Sequence, residues 1–390
     1  MSEEFADQFL EQLQAETYAR LGITPDFESL SAPPGMAVTV WEQSLGRPLT
    51  PAEVREAEAF PTADYAMRPT KFEHPFAYAM MRTLTRHIEK VLADHDIGLP
   101  SRPRFGTLAT GQVNAMTVAV PGGGHLVLLE NELLTFANLI CKAIVLACPA
   151  TEAEDGWFGF STEAPAHLDE DDTAVVRFTE TLLAYLVDGR PAAAPQYLLG
   201  SWRQQIVTSL LRDAVELFVV GHEYGHIIGG HLGSARLRSA GVVPVEQVDY
   251  AWQQEYEADY IGVHLGVLAM REKIEVDADY AFCGFEIFFS ALDIMDRAAS
   301  LLQFGDESAR RLGSHPPSFD RRATLRDSAV RLVGGDESGH PLGLGRAYAA
   351  VLDTLWERAR PAVVRARRHG VRLAPMWTFA LTTPAAQEAT

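Results

Sequence analysis

The chain has 390 residues, with 33 Lys and Arg against 52 Asp and Glu, for a formal net charge of −19. Hydrophobic residues make up 47% and charged residues 22%, ordinary globular proportions that exclude a collagen-like, coiled-coil or disordered chain. The negative balance lacks the basic footprint that phosphate backbones require, which argues against a nucleic-acid partner.

Residues 2–21 are acidic and amphipathic, with Phe5, Phe9 and Leu13 at i, i+4 spacing. They show none of the basic start, apolar core and small-residue cleavage site of a signal peptide. Thr50-Pro51-Ala52-Glu53 has the form of a capping box with proline at the first helical position, which starts a short helix. A longer helix is expected over 75–92. Between Phe105 and Leu129 the pattern changes. Thr117 to Val120 leads into Pro121-Gly122-Gly123-Gly124 and then Leu126 to Leu129, two short β-rich runs about a glycine turn. Helix resumes over 131–146.

Cys141, Cys148 and Cys283 are too few for a disulfide framework and read as small buried hydrophobes. Residues 151–172 hold eight acidic residues and no Lys or Arg, the composition of an exposed, solvated loop. Helices are expected over about 173–188, 205–232, 246–271, 278–304, 318–333 and 344–369. No stretch reaches the ~18 uninterrupted apolar residues of a membrane span. The nearest, Ala281 to Met295, is broken by Glu286 and Asp293 and reads as a buried core helix. Arg358, Arg360, Arg365, Arg367, Arg368 and Arg372 make the last helix basic, an intramolecular partner for the acidic surface. The expected fold is α+β and mostly α-helical, with a small β-sheet or hairpin, in a soluble cytoplasmic protein. Its segments are a helical extension over 1–75, a main domain over 76–335 with an acidic insertion at about 150–200, and a C-terminal helix and tail over 336–390.

The chemistry is concentrated between Glu216 and His231. His222 and His226 are four apart, which sets them about 40° apart around a helix and one turn above each other. Two imidazoles so placed can share one metal ion. Glu223 flanks them, where it can take a proton from water held by the metal. The neighbours Leu217 to Val220 and Ile227-Ile228 are apolar, so the motif belongs to a buried helix. Gly221, Gly225 and Gly229 form an i, i+4 stripe, each costing about 1 kcal/mol against alanine, which implies that another backbone packs closely along it.

A catalytic zinc takes three protein ligands and keeps a fourth position open. A metzincin would put a histidine six residues after the second; Leu232 stands there. The helix starting 29 residues after His226 offers Glu255 and Asp259 on one face, with Glu257 about 200° from Glu255. Glu255 then serves as the third ligand, and Asp259 accepts a hydrogen bond from a ligand imidazole.

His222-Glu223-x-x-His226 with Glu255-x-x-x-Asp259 resembles the gluzincin metallopeptidases of the HtpX, Oma and CAAX prenyl protease type. Three other segments share the likeness: His231, five residues after the second histidine; Asn114-Ala115 with Val120-Pro121-Gly122-Gly123; and Ser314-His315-Pro316-Pro317 with Arg321. The resemblance implies a zincin-like metallopeptidase core with the sheet beside the histidine helix. It also implies Zn2+ as cofactor and a peptide or protein substrate cleaved with Glu223 as general base. In that likeness His315 stabilises the oxyanion, and Arg321 orients the segment carrying it. Asn114, Ala115, Met116 and Val118 lie along a strand that binds extended peptide by its backbone. The acidic insertion is then a candidate lid on the cleft. The rival reading is a zinc-binding adaptor or chaperone-like scaffold that keeps the site without turnover.

Overall fold

The computed structural model describes residues 3–25, 38, 42, 47–55, 57–58, 68–148, 150–152, 158–160, 164–233, 252–274, 278–307, 316–333, 342–375 and 377. Helix α1 (Glu3–Leu21) lies on strand β1 (Arg104–Leu108). Its buried edge is Ala6, Leu10, Gln14 and Tyr18, one position on from the expected apolar stripe. Phe9 and Leu13 sit half-buried against the sheet, and Phe5 is exposed. Gln14 reaches the buried Glu73 carboxylate (2.6 Å) and the Thr107 carbonyl (2.8 Å), tying α1 to the sheet through polar bonds. The expected capping box is present: Glu53 N–H donates to Thr50 Oγ1, and Thr50 N–H donates to the Glu53 carboxylate.

Helix α2 (Pro75–Asp94) starts on the His74 imidazole, whose Nδ1 accepts from Ala77 N–H (3.2 Å). After β1 come β2 (Ala115–Ala119) and β3 (His125–Glu130), the expected hairpin, paired antiparallel with Thr117 opposite Val127. Gly122, Gly123 and Gly124 all have positive φ, so this turn needs residues without a Cβ. The sheet has a third strand that the hairpin pattern did not reveal: β1 runs parallel to β3, giving the order β1-β3-β2. Strand β3 is therefore central and almost wholly buried, and β2 is an edge.

Helix α3 (Asn131–Ala147) follows β3 directly. The acidic stretch, expected as an exposed loop, instead contains a strand pair, β4 (Ala150–Glu152) with β5 (Phe158–Phe160), and a short helix α4 (Ala164–Glu170). Leu168 is the reason α4 docks: its side chain is buried in the apolar core. Next to it, Arg358 pairs with Asp169 (2.7 Å), the expected match of the basic last helix to the acidic surface.

Helix α5 (Thr173–Leu183) continues as a π-helical turn over Ala184–Asp188. Helix α6 (Trp202–Ile228) is capped by Ser201, whose hydroxyl accepts from Gln204 N–H. The remaining elements are α7 (Trp252–Ile274), α8 (Ala278–Phe304), α9 (Ser318–Val333) and α10 (Leu342–Arg368). Helix α4 packs on α10, α3 and α5.

The core has two main lobes. One gathers α3, α5, the first half of α6, α8 and α10 around Trp356 and Phe178; the other joins α2, β3, the second half of α6, α7 and α8 around Phe285 and Phe289. Cys141, Cys148 and Cys283 are free and buried, as expected. Glu286, on the apolar helix α8, is fully buried and held by Arg326 (2.5 and 2.6 Å). No described helix is long and apolar enough to cross a membrane.

Candidate metal centre

The second half of α6 is buried from Ala214 to Ile227. Its glycines let α7 approach backbone to backbone. A Cβ on Gly225 would lie 2.7 Å from the Ala258 carbonyl oxygen, and one on Gly221 would lie 2.9 Å from that of Gly262. Gly262 answers from α7, where a Cβ would meet the His222 backbone. This close crossing explains how residues 29 apart in sequence come together.

At the crossing, His222, His226 and Glu255 each offer a ligand atom, all within 4.8 Å of one another. The two Nε2 atoms are 3.1 Å apart, and each lies 3.7 Å from a Glu255 oxygen. A tetrahedral ion with bonds of about 2.0–2.1 Å spaces its ligand atoms about 3.3 Å apart, so this donor set has the size for zinc. Glu255 and Asp259 are fully buried, with Glu223, His222 and His226 nearly so.

His222 Nδ1 lies 2.9 Å from Asp259 Oδ1. Arg321 grips the same carboxylate, donating at 2.7 Å from Nε and 2.5 Å from Nη2, and also lies 3.2 Å from Glu255. Burial pushes the Asp259 pKa up, but the Arg321 charge and its hydrogen bonds outweigh that and hold it below the usual value. An ionised Asp259 must receive the Nδ1 proton of His222, which leaves the His222 Nε2 lone pair facing His226 and Glu255. Burial draws the His222 pKa down, yet the Asp259 hydrogen bond and charge raise it overall. The imidazole thus sits in a field that attracts a cation.

Charge balance points the same way. Glu223, Glu255 and Asp259 are three buried carboxylates against one buried guanidinium, Arg321, which leaves two negative charges if all are ionised. Buried charge without compensation is costly, and a divalent cation among the imidazoles supplies the balance. The residues present therefore fit zinc in spacing, donor chemistry and charge.

Glu223 turns toward the sheet, where Thr117 Oγ1 lies 2.8 Å from its Oε2. Burial raises the Glu223 pKa, and His222 and Thr117 draw it partly back. Thr117 is the site residue that the sequence reading passed over: it stands between Met116 and Val118, and alternation aims it at α6. Met116 and Val118 point to the other face, packed with Leu10 and Leu126. Ala115 shares the face of Thr117, and the Asn114 carbonyl is taken by Glu130 N–H (3.0 Å). His315 lies outside the described residues. A cavity of about 830 Å³ between α2, α3 and α6 has Arg212 and Glu216 in its wall but no metal-site residue.

Comparison with known proteins yields no match, whether to family models, to curated proteins or to solved structures.

Proposed function

We propose that the chain is a zinc-dependent peptidase, with His222, His226 and Glu255 as metal ligands and Glu223 as general base. The observation that carries this is the convergence of His222 Nε2, His226 Nε2 and Glu255 at one buried point where two helices cross. Zinc there would supply Lewis acidity toward a peptide carbonyl and lower the pKa of water toward 7.

The chain's own residues do the rest. Thr117 fixes Oε2 of Glu223, so Oε1 is the atom that receives the proton from the attacking water and returns it to the leaving amine. The raised pKa of Glu223 brings it closer to that exchange than an ordinary carboxylate. Asp259, held by Arg321, keeps His222 turned with Nε2 inward. Among the described residues β2 pairs on one side only, with β3, and its other edge can take an extended peptide as one more strand. His315 remains the proposed oxyanion partner on the likeness of its segment.

Glu223→Gln tests the assignment. It should keep zinc and lose hydrolysis across a peptide library; undiminished turnover would remove Glu223 as base. Zinc binding with no cleavage of any peptide by the wild type would favour the scaffold reading.

A further inference from the structure

The two ligand imidazoles are held differently. His222 leans on a buried carboxylate, whereas His226 Nδ1 meets another imidazole, His231 Nδ1, at 2.9 Å. On the far side, His231 Nε2 lies 3.3 Å from Glu257 Oε2. Glu257 has a side chain 54% exposed, while His231 is 3% exposed. A short chain of side chains thus runs from the buried centre to solvent.

The backbone is shaped to bring His231 back. Helix α6 stops at Ile228, Gly230 takes φ +66, and a single 3-10 turn begins at His231. A Cβ on Gly229 would overlap the His231 ring. Gly229 therefore differs from Gly221 and Gly225: it makes room for an imidazole rather than for α7.

We infer that His231, oriented by Glu257 and admitted by Gly229-Gly230, is the positioning residue for the second metal ligand, His226. The direction of the chain follows from donor chemistry. Glu257 can only accept when ionised, so His231 donates from Nε2. An uncharged imidazole that donates from one nitrogen accepts at the other, so His231 Nδ1 receives the Nδ1 proton of His226. That leaves the His226 Nε2 lone pair directed at His222 and Glu255, the tautomer a metal ligand needs. The inference rests on the metal-site reading and adds to it a second support, from outside the pair formed by Asp259 and Arg321.

The test is metal affinity in the full chain, measured for Zn2+ by chelator competition, together with the visible spectrum of the Co2+-loaded protein. Loss of a partner hydrogen-bonded to a metal-bound histidine costs about 10–100-fold in metal affinity. His231→Ala should lose that much and alter the Co2+ bands while remaining folded by circular dichroism. His231→Gln, which keeps an acceptor, should recover part of the affinity, and Glu257→Ala should cost less than His231→Ala. Gly229→Ala should resemble His231→Ala because it displaces the ring. Wild-type affinity and an unchanged Co2+ spectrum in folded His231→Ala would overturn the inference and leave the metal site standing. A wild type that binds neither ion would instead overturn the metal site itself.

Discussion

Asp259 stands between His222 and Arg321, 2.9 Å from the imidazole Nδ1 and 2.5 Å from the guanidinium Nη2, with all three side chains buried or nearly so. One carboxylate therefore does two things: it sets the tautomer of a proposed ligand, and it neutralises a largely buried cation. Asp259→Ala should lower zinc affinity about 10–100-fold. Arg321 would still meet Glu255 at 3.2 Å, so breaking its buried pair with Asp259 should also cost stability, up to about 3–5 kcal/mol. Chelator competition and urea unfolding read the two effects separately, and wild-type values in both would refute the arrangement.

Thr117→Val removes the hydroxyl that meets both the carboxylate and the backbone carbonyl of Glu223. A hydrogen bond to a charged group is worth about 1.5–3 kcal/mol, so kcat should fall about tenfold or more. Zinc content should not change, because Thr117 touches the base rather than a proposed ligand. An unchanged kcat would show that Glu223 needs no such support.

The helix crossing is sensitive to a single methyl group. In Gly225→Ala the new Cβ would lie 2.7 Å from the Ala258 carbonyl oxygen and 2.9 Å from its Cα. Overpacking of this kind costs about 1–3 kcal/mol, against a gain of about 1 kcal/mol in helix propensity. Because α7 carries Glu255, the displacement should weaken zinc binding along with stability. Unfolding and chelator competition on the same sample check this; a more stable variant with intact affinity would contradict the packing.

How much of this was legible in the sequence depends on the kind of signal. The i, i+4 histidines, the glycine stripe and the Glu255/Asp259 pair are local patterns, and the three side chains that they predicted do converge. The hairpin was legible because Gly122 to Gly124 mark its turn. Strand β1 was not: its partner β3 runs parallel, so no turn joins them, and Gly106 interrupts its apolar run. The helix within the acidic stretch was hidden by charge, since Leu168 is the one buried side chain among its described ones. Thr117 was missed because its role comes from which face of β2 meets α6, a fact of packing. His231 stood out by spacing, but its turn back onto His226 depends on the Gly229-Gly230 geometry.

Two buried carboxylates away from the candidate metal centre should make stability fall with rising pH. Burial lifts the Glu73 pKa to about 7, against hydrogen bonds from Thr107 and Gln14 that pull it down. Burial likewise lifts Glu130 to about 7, against its bonds from Thr110. The folded chain then holds protons that the unfolded chain releases near the ordinary 4.5. The stabilisation is complete below about pH 4.5 and is lost as pH rises through about 7, by at most about 1.4 kcal/mol per unit for each group. Urea midpoints of the metal-free protein should be higher at pH 5.5 than at pH 7.5. That difference should shrink in Glu73→Gln; an equal difference in both proteins would remove Glu73 as a cause.

The central claim is that two imidazoles and Glu255 bind one ion. Zinc content of the purified chain, set beside that of Glu255→Ala, measures it most directly. The account predicts about one zinc per wild-type chain and a metal-poor but folded variant. A wild type without zinc that also takes up none on titration, or a Glu255→Ala variant that retains it fully, would contradict the account.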